Sequence, residues 1–525
     1  MSAFCKSKVL SSARRREVTL ITGGLFLGAA VGGLFVLEPL RTAALIAIVA
    51  LAVPALVKLL KLDIPTTMAL VLVLALLAPP WRLSQFPDIR PEQPVVLAFP
   101  VLIFMAAVAA GMELPRPTLS IVDGLFLLYA LCVFVSIIAG YLFLRVPLSY
   151  HDFMEFAKIG LYYCAFRIGM RANWQQPGIG RYAPLMLIAV IVVAAIAISQ
   201  AYNLLGVNDY LSPLYIEREF ILSMVRRTTS FRVAGTIGNP NHFGFMETMV
   251  VSFLLSAVLF CQQRLNRIAL GALLSALALS LFCIFLTASR TATVAVAGSA
   301  AFILATFLFS GRTVGLPRRL LSILLALALV IAILPFAHDR FFSVMRSLLD
   351  PSGIGQLSTV EARVVAWRTA MEQIRTSPIV GWGMATGNLA GPVDNDYLLL
   401  LRQFGIVGLA VLVLLFTHVF RTAGRLAAGG RNPLRTAYGR AVQGILVALA
   451  LYSFTAGAFE NQQLMVILWI LVGGLYALIR DRGRPEQATA SSPSAITGSE
   501  RPLTDRAPIP PPMPNQRAKL ASAEK

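Results

Sequence analysis

The chain has 525 residues, of which 57% are hydrophobic and only 13% charged, and its formal net charge is +20. Soluble domains carry roughly 25% charged residues, so this composition excludes a water-soluble globular protein. The apolar residues fall in runs of about twenty, the length of a helix that crosses a bilayer, which predicts an all-α polytopic membrane protein. In such a protein the basic excess indicates cytoplasmic loops and anionic lipid, not nucleic acid.

Hydropathy predicts about fourteen transmembrane helices within one domain, residues 19–480. The predicted spans lie near 19–37, 42–60, 64–80, 95–112, 121–144, 153–170, 183–202, 242–261, 268–287, 291–310, 320–337, 396–417, 441–458 and 463–479. The span at 153–170 is the weakest, because Glu155, Lys158 and Arg167 interrupt it. We expect the first span to be an uncleaved anchor, since no clear cleavage site follows it.

Lysine and arginine residues predict the orientation of these spans. Sixteen lie in the short loops of one side and five in the short connections of the other, and basic loops stay in the cytoplasm. Residues 1–18 and the segment from Arg480 onward are also basic, so both termini are predicted to be cytoplasmic. The Pro-, Ser- and Ala-rich tail, 481–525, is predicted to be disordered. All five cysteines fall in spans or on the inner side, so no structural disulfide is predicted.

Two long outer loops, near 203–241 and 338–395, contain arginines on the side where the orientation rule disfavours them. These are Arg218, Arg226, Arg227 and Arg232 in the first loop, and Arg340, Arg346, Arg363, Arg368 and Arg375 in the second. One interpretation is tolerance, since long loops escape the charge rule. The other is an anion site, because the guanidinium fork donates two hydrogen bonds to one phosphate.

The end of the first loop favours the anion site. Asn239 is a good N-cap and Pro240 a good first helical residue, which by themselves predict only a well-capped helix start. That helix end nevertheless presents free N–H groups and a positive dipole to the outer surface, where anions bind. Arg232 lies seven residues before the cap, and Gly235 and Gly238 allow close backbone approach.

The second loop contains a predicted surface helix that begins with a capping-box pattern at 358–361. Its apolar residues recur at spacings of three and four and are Val360, Val364, Trp367, Met371 and Ile374. Arg368 and Arg375 each have Glu372 at helix-pairing distance, which indicates solvated ion pairs. Arg363 has no acidic residue at those offsets and lies at the edge of the apolar face, so it is the better ligand candidate.

Two carboxylates and an amide cluster where the next span begins, at Asp394, Asn395 and Asp396. Helix capping needs only one of them, so a second acid there is a candidate general base. Arg402 follows within the span, and Arg290 occupies a tight outer turn, where it either snorkels to water or binds ligand. The sequence contains no zinc-ligand spacing, P-loop or dinucleotide fingerprint, so no metal or cofactor is predicted.

Taken in order, these motifs resemble the O-antigen ligase and O-antigen polymerase family over about residues 229–410. The segments that carry the resemblance are Gly235–Gly244, Thr287–Arg290, Glu361–Arg363 with Trp367, Gly381–Gly383, Asp394–Leu398 and Gly405–Gly408. Family members are glycosyltransferases of the bacterial inner membrane that use undecaprenyl-diphosphate-linked glycans on the periplasmic side. The resemblance therefore implies a periplasmic active face for this chain.

The resemblance also implies roles for particular residues. Arg232 and Arg363 correspond to the arginines thought to hold the diphosphate, and Asp394 is expected to accept the proton of the acceptor hydroxyl. The further substrate-binding candidates are Arg290, Asn239, Asn241, His242, Asn395, Asp396, Trp367 and Arg402. The implied partners are a lipid-linked oligosaccharide, an acceptor glycan and the bilayer, with chain-length regulator and flippase proteins as further candidates.

Three classes of function remain open at this point. Family ligases carry a histidine where this chain has Asp394, so the sequence favours a polymerase of O-antigen or exopolysaccharide repeat units over a ligase that transfers glycan to lipid A–core. A flippase for lipid-linked oligosaccharide is the alternative from another class, although internal repeats and midplane charges typical of transporters are not evident. A structural subunit of a polysaccharide export complex is the third.

Overall fold

The computed structural model describes residues 64–80, 90–97, 120–148, 150–171, 183–216, 232–309, 358–384, 393–429 and 432–480. Within these ranges all regular structure is helical. The longer helices are α1 (Ile64–Leu77), α2 (Ile121–Leu144), α3 (Tyr150–Arg171), α4 (Ala183–Tyr202), α5 (Pro240–Cys261), α6 (Arg267–Thr287), α7 (Arg290–Leu308), α8 (Ser358–Thr376), α9 (Asp396–Ala428), α10 (Pro433–Tyr452) and α11 (Gln462–Arg480). Single turns of helix occur at Leu204–Gly206, Val207–Tyr210, Ser212–Tyr215 and Gln262–Arg264.

In the described part of the chain, seven helices are long and apolar enough to cross a membrane, namely α2, α4, α5, α6, α7, α9 and α11. This confirms an all-α polytopic membrane protein. The predicted spans at 19–37, 42–60 and 320–337 lie outside the described residues, as does most of the span at 95–112. The total of fourteen spans therefore stays a prediction, and so do the assignments of residues 1–18 and 481–525.

Most helix boundaries agree with the sequence analysis, and α2 and α4 coincide with the predicted spans. Three boundaries were wrong. Helix α9 continues to Ala428, eleven residues past the predicted end, and α10 runs from Pro433 to Tyr452 where 441–458 was predicted. Residues 453–461 form the connection between α10 and α11, which we call the 453–461 loop. They leave the helix because their backbone groups bond to side chains of α5 and α9, described below.

Helix α3, the weakest prediction, is continuous from Tyr150 to Arg171. Arg167, one of the residues that interrupt the predicted span, lies within α3, and its Nη1 is 2.9 Å from Oδ1 of Asp123 on α2. Both side chains are largely buried, with 14% and 5% exposed. The hydroxyl of Tyr163 donates to the same carboxylate at 2.9 Å. The charge of this interior arginine is therefore neutralised by a specific partner, which offsets the desolvation penalty of burying it.

The helices differ in how deeply they are packed. Over their apolar stretches α5 and α11 are 78% buried, whereas α2, α4 and α6 are only 28% buried. Helices α5 and α11 therefore form the centre of the bundle, and the other three present most of their surface to lipid. Phe245 of α5 packs on Tyr452 of α10 with ring centroids 4.6 Å apart, which ties the central helices together near the outer surface.

Helix α9 is interrupted at Gly405, whose φ of 62° and ψ of −170° are not helical. The preceding segment 377–384, which we call the 377–384 turn, packs against this break. Backbone hydrogen bonds join the two: Trp382 N to Arg402 O at 2.8 Å, Gly383 N to Gln403 O at 2.9 Å, and Ile406 N to Pro378 O at 2.9 Å. The groups freed by the break thus find partners, which is required of irregular backbone inside a membrane.

Candidate functional site

The site is built on the N-terminal end of α5. The Asn239 side chain accepts hydrogen bonds from the backbone N–H groups of Asn241 at 2.9 Å and His242 at 3.4 Å, and Pro240 is the first helical residue. This confirms the predicted cap. Gly235 and Gly238 before it have φ values of 57° and 85°, and a Cβ on Gly235 would overlap the Phe243 ring. The turn that leads into α5 is therefore tightly packed and needs glycine at these positions.

Arg232 joins this helix end to the turn between α6 and α7. Its Nε donates to the carbonyl of Thr287 at 3.1 Å, and its Nη2 donates to Oδ1 of Asn241 at 3.0 Å. The hydroxyl of Ser289 donates to the same Asn241 oxygen at 2.8 Å. Residues from three chain segments thus fix one guanidinium, which remains half-buried.

A second helix N-terminus lies beside the first. Ser289 caps α7 by accepting from the backbone N–H of Ala292 at 3.3 Å, and Arg290 is the first residue of α7 and is exposed. The positive ends of α5 and α7 therefore both lie at the Arg232–Asn241–Ser289 contact, and their fields add to the arginine charges. Such an arrangement attracts and orients an anion.

His242 connects α5 to the 453–461 loop. Its Nε2 lies 2.9 Å from the carbonyl of Gly457, and its Nδ1 lies 3.1 Å from the side-chain nitrogen of Asn461. Since a carbonyl can only accept, Nε2 is the donor and Nδ1 the acceptor, which is the neutral form of the ring. Both ring nitrogens are thus occupied, and the contacts give His242 a positioning role for the loop.

The three residues at the start of α9 have different environments. Asn395 caps the helix by accepting from Leu398 N at 3.0 Å. Asp396 is fully buried, and its Oδ2 accepts from Ser453 Oγ at 2.7 Å and Ala458 N at 2.8 Å. Asp394 is exposed, and its charge acts on His242. The two acids flanking the cap are therefore not equivalent, because only Asp394 faces outward.

The second loop contributes α8, which includes position 363. The side chain of Arg363 lies outside the described part. Position 363 precedes the fully buried Ala370 by seven residues, so the two positions fall on the same face of α8. Arg368 and Arg375 are exposed, as expected for solvated residues. Trp367 is half-buried.

Arg402 is deeper in the membrane than the other candidates. Its side chain is 2% exposed, and it lies within electrostatic range of Glu460 in the 453–461 loop. Glu460 also lines a cavity of about 80 Å³ between α2, α3, α9 and α11, together with Lys158, Tyr162 and Gln403. The sequence analysis did not find this cavity, because its walls come from four separate helices.

Arg90, which the sequence analysis did not single out, lies against the turn before α5, and Glu92 lies within electrostatic range of Arg90. Arg90 donates from Nη2 to the carbonyl of Ile237 at 3.2 Å, and its charge acts on His242. Glu92 is fully buried, and burial raises the pKa of its carboxyl to about 7, an effect that the Arg90 charge partly offsets. The signal available in the sequence was an Arg-x-Glu pattern in a short outer connection, which was counted only toward topology.

Residues 275–413 match the family described as O-Antigen ligase. The match is confined to this segment, about a quarter of the chain. The match confirms the family resemblance and supports a membrane glycosyltransferase function of the ligase or polymerase type. No curated protein matches the chain.

The matched segment, 275–413, contains Arg290, position 363 and the start of α9, whereas Arg232 and the α5 cap lie before it. The structure joins the two parts through the hydrogen bond from Ser289 to Asn241. Within the described residues, no group of His, Cys, Asp and Glu side chains is placed to hold a metal ion.

Proposed function

We propose that this protein polymerises lipid-linked repeat units of O-antigen or exopolysaccharide at the periplasmic face of the bacterial inner membrane. It transfers glycan from an undecaprenyl-diphosphate donor to a hydroxyl of an acceptor sugar. The main support is the fixed Arg232 guanidinium, held at 3.0 Å from Asn241 where the N-termini of α5 and α7 meet. The family match supports the same class of chemistry.

In this proposal the donor diphosphate is held by the positive ends of α5 and α7 together with three arginines, Arg232, Arg290 and Arg363. The acceptor oxygen bonds to the anomeric carbon while the bond from that carbon to the phosphate oxygen breaks, and the electron pair leaves with the diphosphate. Negative charge therefore develops on the leaving group, and fixed cations and helix dipoles stabilise it in the transition state. Asn239 and Asn241 keep the helix end in place for this role.

Asp394 accepts the proton of the acceptor hydroxyl. It is the exposed acid of the pair, whereas Asp396 uses its Oδ2 to accept two hydrogen bonds from the 453–461 loop. A general base must be accessible to the substrate, which favours Asp394.

Chain-length regulator and flippase proteins are partners that a polymerase of this kind would need for chain length control and donor supply.

An O-antigen ligase is the second candidate function. The family that matches residues 275–413 is described as O-Antigen ligase, which favours transfer of glycan to lipid A–core. The first candidate is preferred because Asp394 stands where ligases of the resembled family carry a histidine.

Deleting the gene and sizing the glycan separates these functions. A polymerase predicts single repeat units left on lipid, a ligase predicts full-length chains without attachment to lipid A–core, and a flippase predicts donor trapped inside the cell. Complementation with Arg232→Lys should fail, because lysine keeps the charge but loses the two-pronged contact. Arg267→Lys, an exposed arginine at the start of α6, should restore chains fully. Full-length attached chains in the deletion strain would reject all three functions.

A further inference from the structure

The 377–384 turn lies below the outer membrane surface when its position is measured along two spanning helices. It bonds to Gln403, seven residues into α9, which corresponds to about 10 Å at 1.5 Å per residue. On α2 it lies against Gly140 and Ser136, four and eight residues before the end of the helix at Leu144, or about 6 and 12 Å. Both helices therefore place the turn inside the outer half of the bilayer.

Several polar groups of the turn are paired at that depth. Besides its bonds to α9, Gly381 N donates to Ser377 O at 3.1 Å, and Gly383 N donates to the Ser136 hydroxyl at 3.0 Å. The Ser377 hydroxyl donates to Gly381 O at 2.8 Å, and Trp382 Nε1 donates to Gln373 O at 2.7 Å. Non-helical backbone at membrane depth needs protein partners of this kind, because the hydrocarbon offers none.

The outward surface of the turn is apolar. Ile379 is 61% exposed, and Pro378 is exposed and has no N–H group. The surface continues onto α9, where Ile406 is 59% and Val407 is 43% exposed, and Val407 N donates to the carbonyl of Ile379 at 3.3 Å. Since α9 spans the membrane, its exposed apolar residues face lipid, and Ile379 extends the same surface without a gap.

We infer that the 377–384 turn is a re-entrant membrane segment and that Pro378 and Ile379 contact the acyl chains of the bilayer. The long second loop is therefore not wholly periplasmic, because its last part dips into the outer half of the membrane. This anchors the end of α8 at the membrane surface, beside the head group level where a lipid-linked substrate carries its phosphates. The inference concerns the membrane position of the segment and holds whichever glycan reaction the protein performs.

Depth-dependent quenching tests the inference on the full-length protein. A fluorescent NBD group is attached to Ile379→Cys in a cysteine-free background and reconstituted in phosphatidylethanolamine–phosphatidylglycerol vesicles. The background requires replacement of Cys5, Cys132, Cys164, Cys261 and Cys283 by alanine. Lipids with a nitroxide on the acyl chain report hydrocarbon contact, and aqueous iodide reports water contact. Val413→Cys on the lipid face of α9 and Arg368→Cys on the exposed face of α8 are the two reference sites.

The inference predicts that the 379 label is quenched by nitroxide lipid as Val413→Cys is, with several-fold weaker iodide quenching than Arg368→Cys. Iodide quenching equal to that of Arg368→Cys, with little effect of nitroxide lipid, would overturn it. If Ile379→Cys fails to fold, Pro378→Cys serves the same purpose, since position 378 is also exposed and its proline makes no backbone N–H bond.

Discussion

Gly381 and Gly405 meet at the break in α9, each with a positive φ, 77° and 62° respectively. A Cβ added to Gly381 would lie 2.6 Å from the amide nitrogen of Gly405, and a Cβ added to Gly405 would overlap the backbone of Ile379. Neither position has room for a side chain, and neither backbone suits one. The contact between the 377–384 turn and the spanning helix therefore depends on both glycines.

Replacing either glycine by alanine should destabilise the protein. Left-handed backbone costs an L-residue about 1–2 kcal/mol, and the overlap with neighbouring backbone adds to this. We expect Gly381→Ala and Gly405→Ala each to lower the apparent melting temperature by several degrees, measured as monodisperse protein remaining after heating in detergent. Gly271→Ala in α6 is the control, because no atom lies within 4 Å of its added Cβ, and it should be neutral or stabilising. Equal melting temperatures for all three variants would contradict the close contact.

The two acids at the start of α9 should respond differently to substitution. Asp394→Asn should reduce chain extension by a factor of about 10² or more while the melting temperature stays unchanged, because a general base is lost. Asp396→Ala should lower stability by about 1–3 kcal/mol, since it leaves the Ser453 hydroxyl and the Ala458 N–H without the oxygen that now accepts from them. The measurements are glycan size in complemented cells and thermal melting of purified protein. An active Asp394→Asn variant would move the base elsewhere.

The arginines of α8 provide a matched pair. Arg363→Ala should abolish chain extension at normal protein level, because the proposal places this guanidinium on the donor diphosphate. Arg368→Ala removes the same charge five residues later, from an exposed position, and should have a mild effect. Glycan ladders and immunoblots of the two complemented strains provide the comparison. If both variants lose activity equally, the contrast between the two faces of α8 is wrong.

The buried pair of Arg167 and Asp123 should behave as one unit. Removing one partner leaves a buried charge, so Arg167→Met and Asp123→Asn should each cost about 3–5 kcal/mol, and the double variant should cost much less than their sum. A double-mutant cycle on melting data measures this coupling. The residual folded protein should still extend chains, because the pair lies at the predicted cytoplasmic ends of α2 and α3. Simple additivity would show that the two side chains act independently.

The predicted orientation can be tested with reporter fusions. Fusions at positions 205 and 345 should report the periplasm, and a fusion at 430, after α9, should report the cytoplasm, because the basic short loops are retained inside. Alkaline phosphatase and green fluorescent protein activities give opposite patterns for the two locations. The reverse pattern would place the Arg232 site on the cytoplasmic side and remove the proposed donor chemistry.

Some of this architecture follows directly from local sequence. The apolar stretches set the bounds of α2 and α4, and the caps at Asn239 and Asn395 are encoded within three residues of the helix starts. These features are predictable because the atoms that stabilise them are adjacent in the chain. The family motifs likewise pointed to Arg232 and Asp394, which the structure places at the N-terminal ends of α5 and α9.

Other features depend on residues far apart in the chain. The bonding partners of His242, Gly457 and Asn461, follow it by 215 and 219 residues, so no local pattern reveals that both ring nitrogens are occupied. Arg90 contacts Ile237 across 147 residues, and the break at Gly405 is paired with the 377–384 turn, more than twenty residues earlier in the chain. Such positions are set by packing between elements, which periodicity and capping rules do not report.

The bond between Ser136 and the backbone at Gln403 has a consequence for biogenesis. These residues are 267 positions apart, and the ribosome delivers α2 to the membrane long before α9. Helix α9 inserted alone would expose unpaired carbonyl and amide groups at its break to hydrocarbon. Its final form therefore requires a template that is already in place, and synthesis from the N-terminus supplies that template first. A circularly permuted gene that places α9 before α2 would reverse this order and expose the broken helix to the membrane during its synthesis.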